Sequence, residues 1–101
     1  MKHPSIVDLL DHTWEILIEI CTTKTALSAV TLATVDRDDQ PQVCLVVLRA
    51  VDRDHQILEF HTDADSLKCQ SLARNPKAQI LIWREINAVQ LRLSVEVSLR
   101  Q

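Results

Sequence analysis

The chain has 101 residues, 47% of them hydrophobic, a formal net charge of −3 and no glycine. That length makes a single domain, residues 1–101, with a modest core, and the apolar content argues against disorder. The acidic balance and the 3% aromatic content exclude general attraction to nucleic acid or anionic membrane, and base-stacking platforms with it.

Ser5 can cap a predicted helix running to about Cys21, with Ile6, Leu10, Trp14, Leu17 and Cys21 on one face and the acids mostly on the other. This reads as an amphipathic cover helix, followed by a connector over Thr22–Ala26. The period then changes. Ser28–Val35 is β-branched and apolar, Asp36 to Pro41 is a polar turn, and Gln42–Val51 is a second strand. Asp52-Arg53-Asp54-His55 makes the next turn, its arginine expected to be solvated, and Ile57–His61 is the third strand. Asp65 or Ser66 caps a short helix that Asn75-Pro76 ends, because proline cannot continue a helix and restricts the residue before it. Lys77–Trp83 is a fourth strand and Arg84–Ala88 a loop. Val89–Leu99 is a fifth strand, with Val89, Leu91, Leu93, Val95 and Val97 on one face and Gln90, Arg92, Ser94, Glu96 and Ser98 on the other. The hairpin-like spacing implies an antiparallel meander, and five strands with two flanking helices fit a small, mainly β barrel.

Absent residue types exclude several chemistries. Without glycine there is no P-loop and no dinucleotide fingerprint, since both need backbone close to phosphate. Every tight turn is then expected to rest on Asp, Asn or Pro. Cys21, Cys44 and Cys69 have no Cys-x-x-Cys spacing and read as free thiols of a reducing cytoplasm, the expected location. The four histidines share no ligand spacing, so no metal site is expected. Asp8, Asp11, Glu15 and Glu19 interrupt the first apolar stretch, which fits neither a signal core nor a membrane span.

One segment offers chemistry. Thr62–Lys68 supplies a hydroxyl, a helix N-terminus opened by Asp65-Ser66, and Lys68 in the first turn. Helix N-termini bind phosphate through unpaired N–H groups and the helix dipole. The alternative is that Ser66 only caps a surface helix and Lys68 is solvated.

Three stretches, taken in order and spacing, resemble the flavin-binding part of the pyridoxamine 5'-phosphate oxidase family, an antiparallel FMN-binding split β-barrel. They are Gln42 to Arg49, Phe60 to Lys68, and Asn75-Pro76 followed by Trp83 and Gln90. The resemblance implies that FMN lies along Cys44-Leu45-Val46-Val47-Leu48-Arg49, with Arg49 at the second basic position of that strand. It places the aromatic-Thr-Asn/Asp motif on His61-Thr62-Asp63, the Ser-x-Lys ending on Ser66-Leu67-Lys68, and the ring-facing glutamine on Gln90. It also implies a homodimer, because in this family the flavin lies between subunits. The chain departs from the pattern at Cys44, where the family carries an arginine, at Asp65, and at Val95, where it carries glycine. The family's residues for the pyridoxal phosphate group fall largely beyond Gln101, so vitamin B6 oxidation does not follow from the resemblance.

Three functions are therefore expected in turn. The first is a homodimeric FMN-dependent oxidoreductase acting on an unassigned small molecule. The second is a non-catalytic dimeric barrel that has lost or weakened its flavin, favoured by Cys44 and Asp65. The third is a domain fragment truncated at the C-terminus, suggested by the end after one long strand.

Overall fold

The computed structural model describes residues 6–23, 29–62, 66–85 and 88–100. Helix α1 spans Ile6–Thr23 and α2 spans Leu67–Arg74; the strands are β1 Ala29–Val35, β2 Pro41–Asp52, β3 Ile57–Phe60, β4 Lys77–Arg84 and β5 Val89–Glu96. They form one five-stranded sheet in the order β3-β2-β1-β4-β5. The expected meander thus holds for β1-β2-β3, but β4 joins the other side of β1. The connection through α2 makes this possible, because a helix-containing link can cross strands that a tight turn cannot. The β1–β4, β2–β3 and β4–β5 pairs are antiparallel.

Two compact units divide the chain. One holds α1, the second half of β2 from Val47, and β3; the other holds β1 from Val30, the first half of β2, α2, β4 and β5. In the first unit Ile16, Leu17, Ile20 and Leu48 are buried. The helix therefore turns a different stripe inward from the one expected. Leu10 is 56% exposed, while Ile16, Leu17 and Ile20 take the inner positions, at the i, i+1, i+4 spacing of one helical face. Ser5 and the side chain of Ile6 lie outside the described residues. The helix also outlasts its expected end at Cys21, since Thr22 Oγ1 donates to the carbonyls of Ile18 and Glu19 and stays within the helix.

In the second unit Val30, Leu32, Val46, Cys69, Leu72, Ala78, Ile80 and Ile82 are buried. The strand residues among them recur every second position, as a sheet with one buried face requires. The β4–β5 ladder runs unbroken from Lys77 opposite Glu96 to Arg84 opposite Val89. Strand β5 ends at Glu96, short of the expected Leu99; beyond it the Val97 N–H still donates to the Pro76 carbonyl at 2.8 Å.

The turns show how a chain without glycine reverses direction. Between β1 and β2, Asp36 Oδ1 accepts from the N–H groups of Asp38 (2.8 Å) and Gln40 (3.0 Å), and Oδ2 accepts from the Gln42 amide at 2.9 Å. Between β2 and β3, Asp52 accepts from the His55 N–H and lies 2.8 Å from its Nδ1. Left-handed backbone falls on Asp39 (φ 58°), Gln56 (φ 55°) and Ala88 (φ 52°). Only the first is a residue type expected there. Gln56 and Ala88 carry a Cβ into a region that disfavours it by about 1–2 kcal/mol.

Candidate functional site

Helix α2 opens on Ser66, whose backbone is extended (φ −68°, ψ 153°) and whose hydroxyl accepts from the Cys69 N–H at 3.3 Å. Ser66 is therefore the N-cap; Asp63, Ala64 and Asp65 lie outside the described residues. A serine oxygen that accepts one N–H still has its own proton to donate. Helix geometry leaves the N–H groups of Leu67 and Lys68 without acceptors inside the helix. The first turn contains no acidic residue, and Lys68 lies within it, half-buried. Thr62, four residues before Ser66, is half-buried and His61 is exposed. This opening concentrates donors and positive charge at one point, as a phosphate-binding end requires.

Strand β2 carries the second group of expected residues, and its two sides differ. Val43, Leu45, Val47 and Arg49 are exposed, while Cys44 is half-buried and Val46 and Leu48 are buried. Cys44 therefore belongs with the inward-facing residues, on the opposite side of the strand from Arg49. Cys44 shares its side with the buried Val46, two residues on along a period of two, whereas Arg49 is exposed. Cys44, like Cys21 and Cys69, is a free thiol. Arg49 occupies a special place. Leu48 pairs with Phe60 and Ala50 with Glu59, so the ladder steps over Arg49 as an extra residue. A bulge of this kind re-aims a side chain and increases local twist. Sequence reasoning found Arg49 by resemblance; the bulge left no sequence signal, since no glycine marks it.

Gln90 lies at the start of β5 on the exposed side, with Arg92 beside it as expected. Its Cα partner across the ladder is Trp83, and that of Arg92 is Leu81. Among the described residues Arg49, Lys68 and Arg92 form no ion pair. Arg53, expected to be solvated, instead pairs with Asp11 on α1. The uncommitted Lys68 and Arg92 and the exposed apolar residues of the second unit suit an anionic, partly aromatic ligand such as FMN, so the residues present fit that group. No cluster of metal-ligating side chains occurs among the described residues, and no helix among them is long and apolar enough to cross a membrane.

The chain is similar to proteins of one kind. It is 39% identical over 70 residues to a pyridoxine/pyridoxamine 5'-phosphate oxidase of a Nostoc species, a stretch that covers 69% of this chain and 32% of that enzyme. It is 41% identical over 71 residues to the enzyme of the same name from Cupriavidus necator, covering 69% and 30%. The chain thus spans about a third of the length of these curated relatives. Among solved structures, a pyridoxamine 5'-phosphate oxidase-related, FMN binding protein from Nostoc punctiforme shares the fold with a TM-score of 0.72 at 22% identity, over 84% of this chain and 44% of that one. A conserved hypothetical protein from Mycobacterium tuberculosis does so with a TM-score of 0.62 at 18% identity, over 93% and 52%. The expected split-barrel fold is the fold of these neighbours, and FMN is the cofactor of the family. With residues 11–100 matched by the family model described as pyridoxamine 5'-phosphate oxidase, FMN-binding domain, the chain belongs to that family.

Proposed function

We propose that this chain is a cytoplasmic, homodimeric FMN flavoprotein with oxidoreductase activity. Lys68, Ser66 and Thr62 hold the phosphate at the opening of α2, and Gln90 addresses the ring edge. The backbone of Cys44 to Leu48 runs along the flavin. FMN supplies the hydride and electron chemistry when bound; the chain binds, orients and shields it. The observation that carries this reading is the α2 opening, where Lys68, the Ser66 hydroxyl and a first turn free of acid coincide.

The substrate is a small molecule that need not be a B6 vitamer. The curated relatives are named for pyridoxine/pyridoxamine 5'-phosphate, and this chain spans about a third of their length. The reading of a barrel that has lost its flavin finds less support. Its grounds were Cys44 and Asp65; Asp65 lies outside the described residues, and an inward-facing cysteine is a position from which a phosphate cation would not be missed.

The test is a titration of the purified protein with FMN, followed by the visible spectrum. Saturable binding with a shifted flavin band is expected. A spectrum identical to that of free FMN up to millimolar ligand would overturn the proposal.

A further inference from the structure

The exposed side of the β4–β5 hairpin has three successive cross-strand pairs that are treated differently. Gln79 and Ser94 face each other and satisfy each other, Gln79 Nε2 donating to Ser94 Oγ at 2.8 Å. The next two pairs, Leu81 with Arg92 and Trp83 with Gln90, make no such bond. The side chains of Trp83, Gln90 and Arg92 have no hydrogen-bonding or ionic partner among the described residues. Trp83 is nevertheless 60% exposed, which leaves a large aromatic surface in water. Each pair sets an apolar residue on β4 beside a polar planar group on β5. Strands lie about 4.8 Å apart, and residues two apart on a strand lie about 6.8 Å apart. The four side chains therefore cover a patch about the size of one fused ring system, apolar along one edge and hydrogen-bonding along the other.

We infer that Trp83 forms the aromatic wall of the flavin-ring site, lying against the isoalloxazine of FMN while Gln90 and Arg92 meet its polar edge. This rests on the reading above, which uses Gln90 but assigns nothing to Trp83. A planar heteroaromatic ring with carbonyl and ring-nitrogen acceptors matches the divided chemistry of the patch. A second copy of the chain would have to cover the unpaired amide and guanidinium with matching acceptors at the same spacing.

The test uses the intact chain with FMN. An indole in contact with an excited flavin donates one electron to it and recovers that electron on return to the ground state, so contact quenches flavin emission without net reaction. Trp14 is the only other tryptophan, and a Trp14→Phe background leaves Trp83 as the single indole. In that background bound FMN should be several-fold dimmer than free FMN. Adding Trp83→Phe should restore most of the emission with modest loss of affinity, while Trp83→Ala should weaken FMN by about tenfold. If the parent binds FMN but Trp83→Ala binds equally well with unchanged emission, the inference fails and the flavin reading stands. If Trp83→Ala only lowers the oligomer mass and leaves FMN affinity and emission as in the parent, the patch is a subunit contact and the inference fails. If the parent binds no FMN, both fall together.

Discussion

The two sides of the sheet in the second unit are both apolar, yet only one is closed. On the inner side Val30, Leu32, Val46, Ala78, Ile80 and Ile82 are buried. On the outer side Val43 and Leu45 are about 70% exposed, and Leu81 and Trp83 are exposed as well. An isolated folded chain gains nothing from placing such residues in water, and contiguous apolar exposure marks a surface that another molecule covers. Burial accounts for the inner residues, whereas nothing within the chain's own core accounts for the outer ones. In the proposed reading FMN and a second copy of the chain account for them.

Substituting one residue on each side of the sheet should give opposite outcomes. Leu32 is fully buried. Leu32→Ala should cost about 2–5 kcal/mol, through lost burial and the cavity left behind. Chemical denaturation with an unchanged slope would measure it. Leu45→Asp should keep the far-UV spectrum of the parent but halve the mass seen by light scattering, because a charge on the outer side opposes the proposed subunit contact. A parent that is already monomeric at micromolar concentration would remove the dimer from the reading.

Lys68 provides the next test, with Arg53 as its internal control. Both are surface cations, but Lys68 lies in the first turn of α2 without an ion pair, and Arg53 is committed to Asp11. Lys68→Ala should cost about 1.5–3 kcal/mol of FMN affinity, the value of a charge-assisted hydrogen bond. Arg53→Ala should cost less than about 0.5 kcal/mol, because an exposed side chain already held by Asp11 contributes little to an anionic ligand. Equal FMN binding by Lys68→Ala and the parent would move the phosphate away from α2. The Lys68 effect should also shrink at high salt.

How much of this was legible follows from which physics acts locally. The alternation of β5 and the Asn75-Pro76 stop depend on neighbouring residues, so the sequence showed them, and Gln90 and Arg92 fall on one side as read. The inner stripe of α1 depends on what the helix rests against. Periodicity alone therefore favoured Leu10 over Ile16 and Ile20. The position of β4 beside β1 depends on a long-range pairing that turn spacing cannot report. At the site, resemblance named Arg49 and Cys44 together as phosphate-strand residues, but it could not show that they face opposite ways or that a bulge isolates Arg49. Trp83 was legible as a marker of the family and not as a neighbour of Gln90, because that pairing appears only in the ladder.

That pairing depends on the turn at Ala88, where φ is 52°. Ala88→Gly should raise stability by about 1 kcal/mol, since relief of the Cβ clash exceeds the added freedom of the unfolded chain. Asp39→Gly should gain less, because Asp tolerates the left-handed region through local hydrogen bonds. Thermal melts of the two variants compare them directly. A loss of stability in Ala88→Gly would mean that the left-handed conformation at Ala88 carries no strain and that the alanine methyl contributes to the turn.

The smallest expected effect is at the other end of the sheet, where the Asp36 turn sets β2 beside β1. The Asp36 carboxyl is held below the usual carboxylate range, first by the Gln40 N–H and then by the Asp38 N–H and the Gln42 amide. Asp52 is lowered in the same way by the His55 N–H and ring. A depressed folded value means that the unfolded chain binds protons more readily. The stabilisation from these turns is therefore complete above the ordinary carboxylate value of about 4 and is lost as pH falls through the lower folded values. Asp36→Asn keeps a side-chain oxygen for the two N–H groups but does not titrate, so its stability should fall less between pH 5 and pH 2, as measured by denaturant midpoints at about unit intervals. An identical acid profile in parent and variant would show that the β1–β2 turn is held by backbone pairing alone. In that case the outward presentation of Val43 and Leu45 would owe nothing to Asp36.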